Sequence, residues 1–168
     1  MKRFMDKWTA EAGGYLQNLV LGVSVEDQKT ANERIQVLIA TPAAKRFVSL
    51  EPMVGPVSLR WLCAWPENAP TTAQNPKGST NELDGLRRLD GVILGGESGS
   101  KARPLDPAWV RSIRDQCAAA CVPFMFKQWG KNVLQENGRP WEFNCETGFP
   151  LLDGRTHADL AWNLRAKP

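Results

Sequence analysis

The sequence has a single histidine and no long apolar run. No stretch of its 168 residues approaches the roughly 18 consecutive apolar residues of a membrane-spanning helix, so we expect no membrane association. The N-terminus, MKRFMDKWTAEAGG, lacks the apolar segment of a signal peptide, and we therefore expect a cytoplasmic protein. His157 stands alone in a turn-rich tail, which indicates no Ser-His-Asp arrangement and favours a surface position for this residue.

Glycine-rich phosphate motifs and a strong charge excess are also missing. Neither G-x-x-x-x-G-K-[ST] nor G-x-G-x-x-G occurs, so the sequence indicates neither a P-loop nor a dinucleotide fingerprint. The chain carries 21 Lys plus Arg against 18 Asp plus Glu, a net charge of +3. This excess is too small by itself to indicate nucleic-acid binding.

Cysteine is sparse, with four residues at Cys63, Cys117, Cys121 and Cys145. Without an export signal, we do not expect disulfide bonds. Cys117 and Cys121 are four positions apart in CAAAC, a spacing that puts both on one face of a predicted helix. They form either half of a metal site or two small apolar residues facing the core, and we favour the core. A zinc or iron–sulfur site needs further ligands at short spacing, so no metal site is predicted.

Apolar segments of two kinds alternate along the chain. Short continuous runs such as LVLGVSV and GVIL are typical of buried strands, and longer segments with 3.6-residue periodicity are typical of helices. Hydrophobic residues make up 42% and charged residues 23%, as in a single globular domain. We predict a first βαβ unit at 16–59, a loop excursion at 60–85, a second βαβ unit at 86–130 and an irregular tail at 131–168.

This alternation predicts an α/β fold of about four parallel strands joined by crossover helices. Two architectures fit, half of a (β/α) barrel or a small open doubly wound sheet. The helix starts are marked by capping residues. Asp27 precedes the helix of the first unit, and Asp106 with Pro107 opens the helix of the second.

Polar residues stand where each predicted strand ends, and ligands bind beyond the carboxyl ends of parallel strands. Three strand ends deliver a glutamate and the fourth delivers a lysine. In two of them a serine stands two residues before the glutamate, on the same side of the strand. The predicted ligand-binding residues are Ser24, Glu26, Ser49, Glu51, Gly95, Gly96, Glu97, Ser98, Lys127 and Trp129.

These residues suggest a polar pocket. The carboxylates could bind a ribose or an amine or transfer protons, while Lys127 could bind an anion or act as their counter-charge. The glycines would allow the backbone to approach a ligand, and Trp129 could stack on a flat one. The alternative for each glutamate is structural, as a helix cap or a partner of Lys127. No catalytic residue is assigned.

Several blocks resemble a phage-associated family of unknown function. They are LGVSVEDQKTANERI, TPAAKRFVSLEPMVGPV, GVILGGESGSKARPLDPAWVRSIRDQC, VPFMFKQWG and LLDGRT, and the resemblance covers about 16–65 and 84–155. Longer members of that family resemble radical S-adenosylmethionine enzymes, with an N-terminal cysteine cluster and an incomplete (β/α) barrel.

This chain resembles only the C-terminal half of those longer members and contains no CxxxCxxC motif. The resemblance therefore implies half a barrel without its cluster. We expect no iron–sulfur cofactor in this chain, since the three thiolates of that motif are missing. S-adenosylmethionine is a possible ligand that only the resemblance implies.

Three functional hypotheses follow, and the sequence does not decide whether the protein is an enzyme. The first is a half barrel that binds a small-molecule or nucleotide-like ligand at its strand ends. The second is a non-enzymatic interaction module or accessory protein, which self-associates or pairs with a separate N-terminal half because half a barrel leaves open edges and an apolar face. The third is a nucleic-acid-processing accessory protein with a basic surface of Lys101, Arg103, Arg111, Arg114 and Lys131.

Overall fold

A computed structural model describes residues 1–60, 82–132 and 148–159. Most of the predicted loop excursion and much of the predicted tail lie outside these residues. The elements are, in chain order, α1 (Lys2–Ala12), β1 (Val20–Ser24), α2 (Gln28–Ile39), β2 (Lys45–Leu50), a 3-10 turn (Leu86–Arg88), β3 (Gly91–Gly95), α3 (Pro107–Ala120) and β4 (Phe124–Gln128). In the described part of the chain, every helix is too short or too polar to cross a bilayer.

The four strands form one parallel sheet in the order β1-β2-β3-β4. Helix α2 connects β1 to β2 and helix α3 connects β3 to β4, so the predicted α/β fold is confirmed. The strand order follows the chain without reversal. A doubly wound sheet reverses its order at the ligand-binding switch point, whereas adjacent strands of a (β/α) barrel follow one another in this way.

The two faces of the sheet differ in burial. On one face, Val48, Leu50, Leu94 and Phe126 are fully buried in a core that also contains the apolar sides of α2 and α3. Because side chains alternate along a strand, the neighbouring register row lies on the other face. That row contains Ser24, Ser49, Ile93 and Met125, which are less buried.

Both predicted helix caps are confirmed. The Asp27 carboxylate accepts a hydrogen bond from the Thr30 amide at 2.8 Å, and the Thr30 hydroxyl completes a capping box. Asp106 accepts from the Ala108 amide at 2.8 Å, with Pro107 as the first helical residue. These bonds satisfy amide groups that have no partner within the helix, which fixes where α2 and α3 begin.

A buried glutamine ties the loop after β2 to α3. Gln116 is 4% exposed, and its Oε1 accepts a hydrogen bond from the Leu59 amide at 2.6 Å. Its Nε2 donates to the Ser112 carbonyl oxygen and hydroxyl, both at 3.1 Å. The sequence pattern did not single out this residue, because a glutamine in an amphipathic helix is usually solvent-exposed.

The two cysteines of CAAAC differ in burial. Cys117 is buried within α3, whereas Cys121 is exposed at the helix C-cap, where its φ of 57° is left-handed. The prediction that both face the core is therefore wrong for Cys121, because the helix ends at Ala120 and the chain changes direction there.

Residues 157–159 pair with the outer edge of β4. The Phe126 amide donates to the His157 carbonyl oxygen at 2.8 Å, and the Asp159 amide donates to the Phe124 carbonyl oxygen at 3.2 Å, in an antiparallel arrangement. His157 is half-buried, with its ring 5.8 Å from that of Phe124. The predicted surface position of this histidine is therefore wrong, because the tail folds back onto the sheet.

Candidate functional site

The segments beyond the C-terminal strand ends, here called the rim, are joined into one layer. Backbone hydrogen bonds connect them in sequence across the sheet. In each of these bonds the amide of the first residue donates to the carbonyl oxygen of the second. The pairs are Val54 and Glu26 at 2.9 Å, Met53 and Gly95 at 3.1 Å, Gly96 and Gln128 at 2.9 Å, and Lys131 and Glu97 at 2.9 Å. The polar side chains of the rim are therefore mounted on a fixed backbone.

Glu51 lies at the centre of the rim and contacts two of the predicted site residues. The Ser49 hydroxyl donates to its Oε2 at 3.1 Å, as expected for side chains two residues apart on a strand. Lys127 Nζ lies 3.3 Å from Oε1 and 3.4 Å from Oε2. Oε1 is buried and accepts no hydrogen bond from the described residues, although it lies within ion-pair distance of the ammonium.

Gly95 provides the space for this arrangement. A Cβ atom at Gly95 would lie 2.5 Å from Glu51 Oε1 and 3.1 Å from Gln128 Cγ. The Glu51 carboxylate thus occupies the place that a side chain on β3 would fill. The absence of a side chain at Gly95 thus leaves room for the carboxylate that pairs with Lys127. The sequence suggested instead that this glycine leaves room for a ligand.

Glu97 forms the second ion pair of the rim, with Arg103 in the loop after β3. Arg103 donates to the carboxylate from its backbone amide at 2.8 Å, from Nε at 2.8 Å and from Nη2 at 2.9 Å. These hydrogen bonds to the ionised form lower the pKa of Glu97 from 4.5 to about 2. The same contact raises the pKa of Arg103, so the pair stays charged across the physiological range.

Glu26 forms the third ion pair, with Arg34 of α2. Arg34 Nη1 lies 3.1 Å from both carboxylate oxygens and donates to the Ser24 carbonyl oxygen at 2.7 Å. The charge of Glu26 also contributes to the raised pKa of Arg103, which places these two ion pairs within electrostatic reach of each other.

In all three ion pairs the cation is more exposed than the carboxylate. The exposed side-chain fractions are 53% for Lys127 against 18% for Glu51, and 57% for Arg103 against 26% for Glu97. For Arg34 and Glu26 they are 42% and 31%. Within these three pairs, the ammonium and guanidinium groups are therefore more accessible to solvent than the carboxylates.

The backbones beyond β3 and β4 approach each other closely at Gly96. A Cβ atom there would lie 1.9 Å from the Trp129 carbonyl oxygen, and Gly130 completes the contact with a positive φ of 82°. The space beside Gly96 is filled by the protein, as it is beside Gly95. Ser98 is exposed at the start of the following loop.

Trp129 does not offer a stacking surface. Its side chain is 2% exposed, its ring packs edge-to-face on Phe126 at 4.5 Å, and Nε1 donates to the Leu151 carbonyl oxygen at 3.2 Å. A register shift at the end of β3 pairs Gly95 with Gln128. The predicted role of Trp129 as a ligand wall is therefore wrong, since the ring belongs to the core.

The structure thus brings together part of the predicted site. Ser49, Glu51, Gly95 and Lys127 form one contact group, and Ser24 is the register neighbour of Ser49. Glu26 and Glu97 form separate ion pairs on the same rim. The sequence reasoning missed Arg34, which lies in the middle of α2 and whose long side chain reaches back to Glu26, before the start of the helix.

Among the residues that the structure describes, there is no group of three or more His, Cys, Asp or Glu side chains that could hold a metal ion. Cys117 lies in the core, where burial raises the pKa of its thiol to about 12. A thiol with this pKa is a poor metal ligand at neutral pH.

The fold and the rim together define a class. This is an α/β protein with consecutive parallel strands and three ion pairs at the C-terminal ends of those strands. A family described as "Protein of unknown function (DUF5131)" matches residues 1–161, and the chain belongs to this family. Comparisons with curated proteins and with solved structures gave no match.

Proposed function

We propose that the protein binds a small molecule through an anionic group, such as a phosphate or a carboxylate, at the rim of its sheet. A nucleotide is one ligand of this kind. The observation that carries the proposal is the Lys127–Glu51 pair, in which the ammonium is half-exposed and the carboxylate behind it is nearly buried.

The Lys127 side chain is positioned before any ligand arrives. Glu51 holds the ammonium from one side while about half of the lysine surface stays open, so a ligand oxygen can accept a further hydrogen bond from Nζ. Because the contact to Glu51 already restricts the side chain, less conformational entropy is lost on binding. Arg103, held by Glu97 in the same way, supplies a second exposed cation.

The sequence resemblance supports a ligand site at the same end of the sheet. A half barrel related to radical S-adenosylmethionine enzymes would bind its ligand at the C-terminal ends of consecutive parallel strands. S-adenosylmethionine carries a carboxylate and so belongs among the ligands to be tested. Radical chemistry is not part of the proposal, because no CxxxCxxC motif occurs in this chain. We propose binding and assign no reaction.

The test is a thermal-shift screen at low salt, followed by calorimetry. The probes are ATP, ADP, S-adenosylmethionine, S-adenosylhomocysteine and inorganic phosphate. We expect at least one probe to raise Tm, and we expect Lys127→Met and Arg103→Met each to weaken its affinity about tenfold, as for the loss of one charge-assisted hydrogen bond.

The matched control is Lys7→Met, which removes an equal charge from an exposed position on α1. This variant should bind the probe as the wild type does. If no anionic probe stabilises the protein, or if all three variants bind equally well, the rim is not the proposed site.

A second candidate function is self-association as an interaction module. Of the large hydrophobic side chains that are exposed in the described part of the chain, five of six lie within residues 1–16. They are Met1, Phe4, Trp8, Tyr15 and Leu16. Concentrated exposed apolar surface is typical of protein interfaces, and a second copy of this chain is the partner we propose.

Analytical ultracentrifugation tests this candidate. Self-association through the N-terminal segment predicts a dimer that Phe4→Ser and Trp8→Ser weaken. Val37→Ser is the control, because Val37 is 50% exposed and belongs to α2 instead of the N-terminal segment. A wild-type protein that sediments as a monomer at micromolar concentrations would rule out the dimer.

Nucleic-acid binding has less support. Of the five cations that would form the basic surface, Arg103 is paired with Glu97, and Arg111 and Arg114 are both paired with Asp153. A carboxylate at each of these cations weakens its attraction for a phosphate backbone. A mobility-shift assay at low salt, with duplex and single-stranded probes, tests the remaining possibility.

A further inference from the structure

We infer that residues 157–159 form a pH-sensitive latch on the outer edge of β4, closed while His157 is neutral and released when its imidazole gains a proton. This inference does not depend on the proposed anion site, although β4 carries both Lys127 and the latch contacts. It rests on how the tail is attached and on where the imidazole lies.

Residues 157–159 are joined to β4 by two backbone hydrogen bonds within the described part of the chain, from Phe126 to His157 and from Asp159 to Phe124. The residues before them are held more firmly, because Leu152 is 1% exposed in the core and Asp153 pairs with two arginines of α3. The last residues can therefore open while the others stay in place. A segment held by so few hydrogen bonds opens more readily than the sheet it covers, so a modest change in free energy can move its equilibrium.

The imidazole of His157 lies in an environment where its protonation is unfavourable. Its ring lies against Phe124 at a centroid distance of 5.8 Å, and its Nε2 atom is buried without a hydrogen-bond partner among the residues that the structure describes. A neutral imidazole leaves Nε2 as an unprotonated acceptor, which costs little in this position. Protonation places an N–H group and a positive charge there with no acceptor, which is costly in an apolar environment.

The charged groups around the imidazole lie on two elements. Arg114 of α3 opposes protonation, while Asp159 and Asp153 of the tail and a backbone hydrogen bond to Leu152 favour it. The β4 residue against the ring is Phe124, which does not titrate. Burial is the largest influence, and the pKa of His157 is lowered from its ordinary value of 6.5. Burial and Arg114 together therefore lower the pKa of His157 by more than the two aspartates raise it.

The direction of the pH effect follows from this lowered pKa. The docked tail binds the proton less readily than the free tail, so docking is at full strength above pH 6.5. As the pH falls below 6.5, the free tail gains its proton first, and docking weakens until the docked imidazole is protonated as well. Mild acid should therefore expose the outer edge of β4.

The chain contains one histidine, so its imidazole Hε1 signal in an NMR spectrum can be assigned without ambiguity. We expect the signal to titrate with a pKa below 6.5. Hydrogen exchange at the Phe126 and Asp159 amides should follow the same titration, with protection factors that fall by up to tenfold per pH unit within the transition. The Val92 amide, which bonds to the Pro123 carbonyl oxygen, serves as the internal control and should stay protected.

His157→Gln removes the titrating group and keeps the backbone hydrogen bonds of the latch. In this variant the protection of Phe126 should no longer change between pH 7.5 and 5. An equal loss of protection in the wild type and the variant overturns the latch. The titration of the wild type is a second test that needs no variant, because a His157 pKa at or above 6.5 is incompatible with the latch.

Discussion

Glu51 and Lys127 form an ion pair across the Cα atom of Gly95, so that β2 and β4 are linked over the strand between them. Three neighbouring strand ends therefore depend on one another. The glycine makes room, the carboxylate fills that room, and the lysine is held by the carboxylate. This relationship makes the cost of a change at one position depend on the residue at another.

Gly95→Ala should lower the free energy of unfolding by about 1–3 kcal/mol, the usual range for overpacking. The new Cβ atom would lie 2.5 Å from Glu51 Oε1, which is the end of a flexible side chain. In a Glu51→Ala background the same substitution should therefore cost clearly less, and urea denaturation of the four proteins would measure the coupling. Gly14→Ala is the control, since nothing lies within 4 Å of its Cβ position. Strictly additive costs would contradict this account of Gly95.

Gly96→Ala should be more damaging than Gly95→Ala. Its Cβ atom would lie 1.9 Å from the Trp129 carbonyl oxygen, which belongs to the backbone and cannot rotate away. Relief would require β3 and β4 to separate at their ends, with loss of the hydrogen bond from Gly96 to Gln128. We expect a loss of about 3 kcal/mol or more, or no folded protein, in thermal denaturation monitored by circular dichroism. A cost equal to or smaller than that of Gly95→Ala would disagree with this geometry.

Glu97→Gln should reduce stability in a manner that depends on pH. The folded pKa of Glu97 is about 2 and its ordinary value is 4.5, so its contribution is complete above pH 4.5 and is lost as the pH falls towards 2. The stability difference between wild type and variant should therefore be constant from pH 7 to 5 and shrink below 4.5. Chemical denaturation at a series of pH values would measure it. A difference that already changes between pH 7 and 5 would point to another group.

The sequence predicts the fold well because strands buried in a parallel sheet consist of nearly continuous apolar residues. Val48, Leu50, Leu94 and Phe126 lie in such runs, and all four are fully buried. Asp27 and Asp106 mark the helix starts through local chemistry that needs no tertiary contact. These features depend on a few adjacent residues, and the sequence shows them directly.

The rim is less predictable because partners come from distant parts of the chain. The sequence places Glu51 and Lys127 at strand ends, but which carboxylate meets the lysine depends on strand order and on the space beside Gly95. Trp129 is a further case. A register shift occurs at the neighbouring end of β3, and the indole donates to the Leu151 carbonyl oxygen, and neither feature is visible in the local pattern.

The two cysteines of CAAAC should differ in reactivity. Burial raises the pKa of the Cys117 thiol to about 12, so almost no thiolate forms at pH 8, and the residue is inaccessible to a reagent. Cys121 is exposed at the end of α3. In the native protein, iodoacetamide at pH 8 should alkylate Cys121 and leave Cys117 unmodified, which tandem mass spectrometry of the peptide that contains both residues can distinguish. Both should react in denaturant, which confirms that the reagent is effective. Equal labelling of the two thiols in the native protein would show that the C-terminal part of α3 opens far more readily than its packing implies.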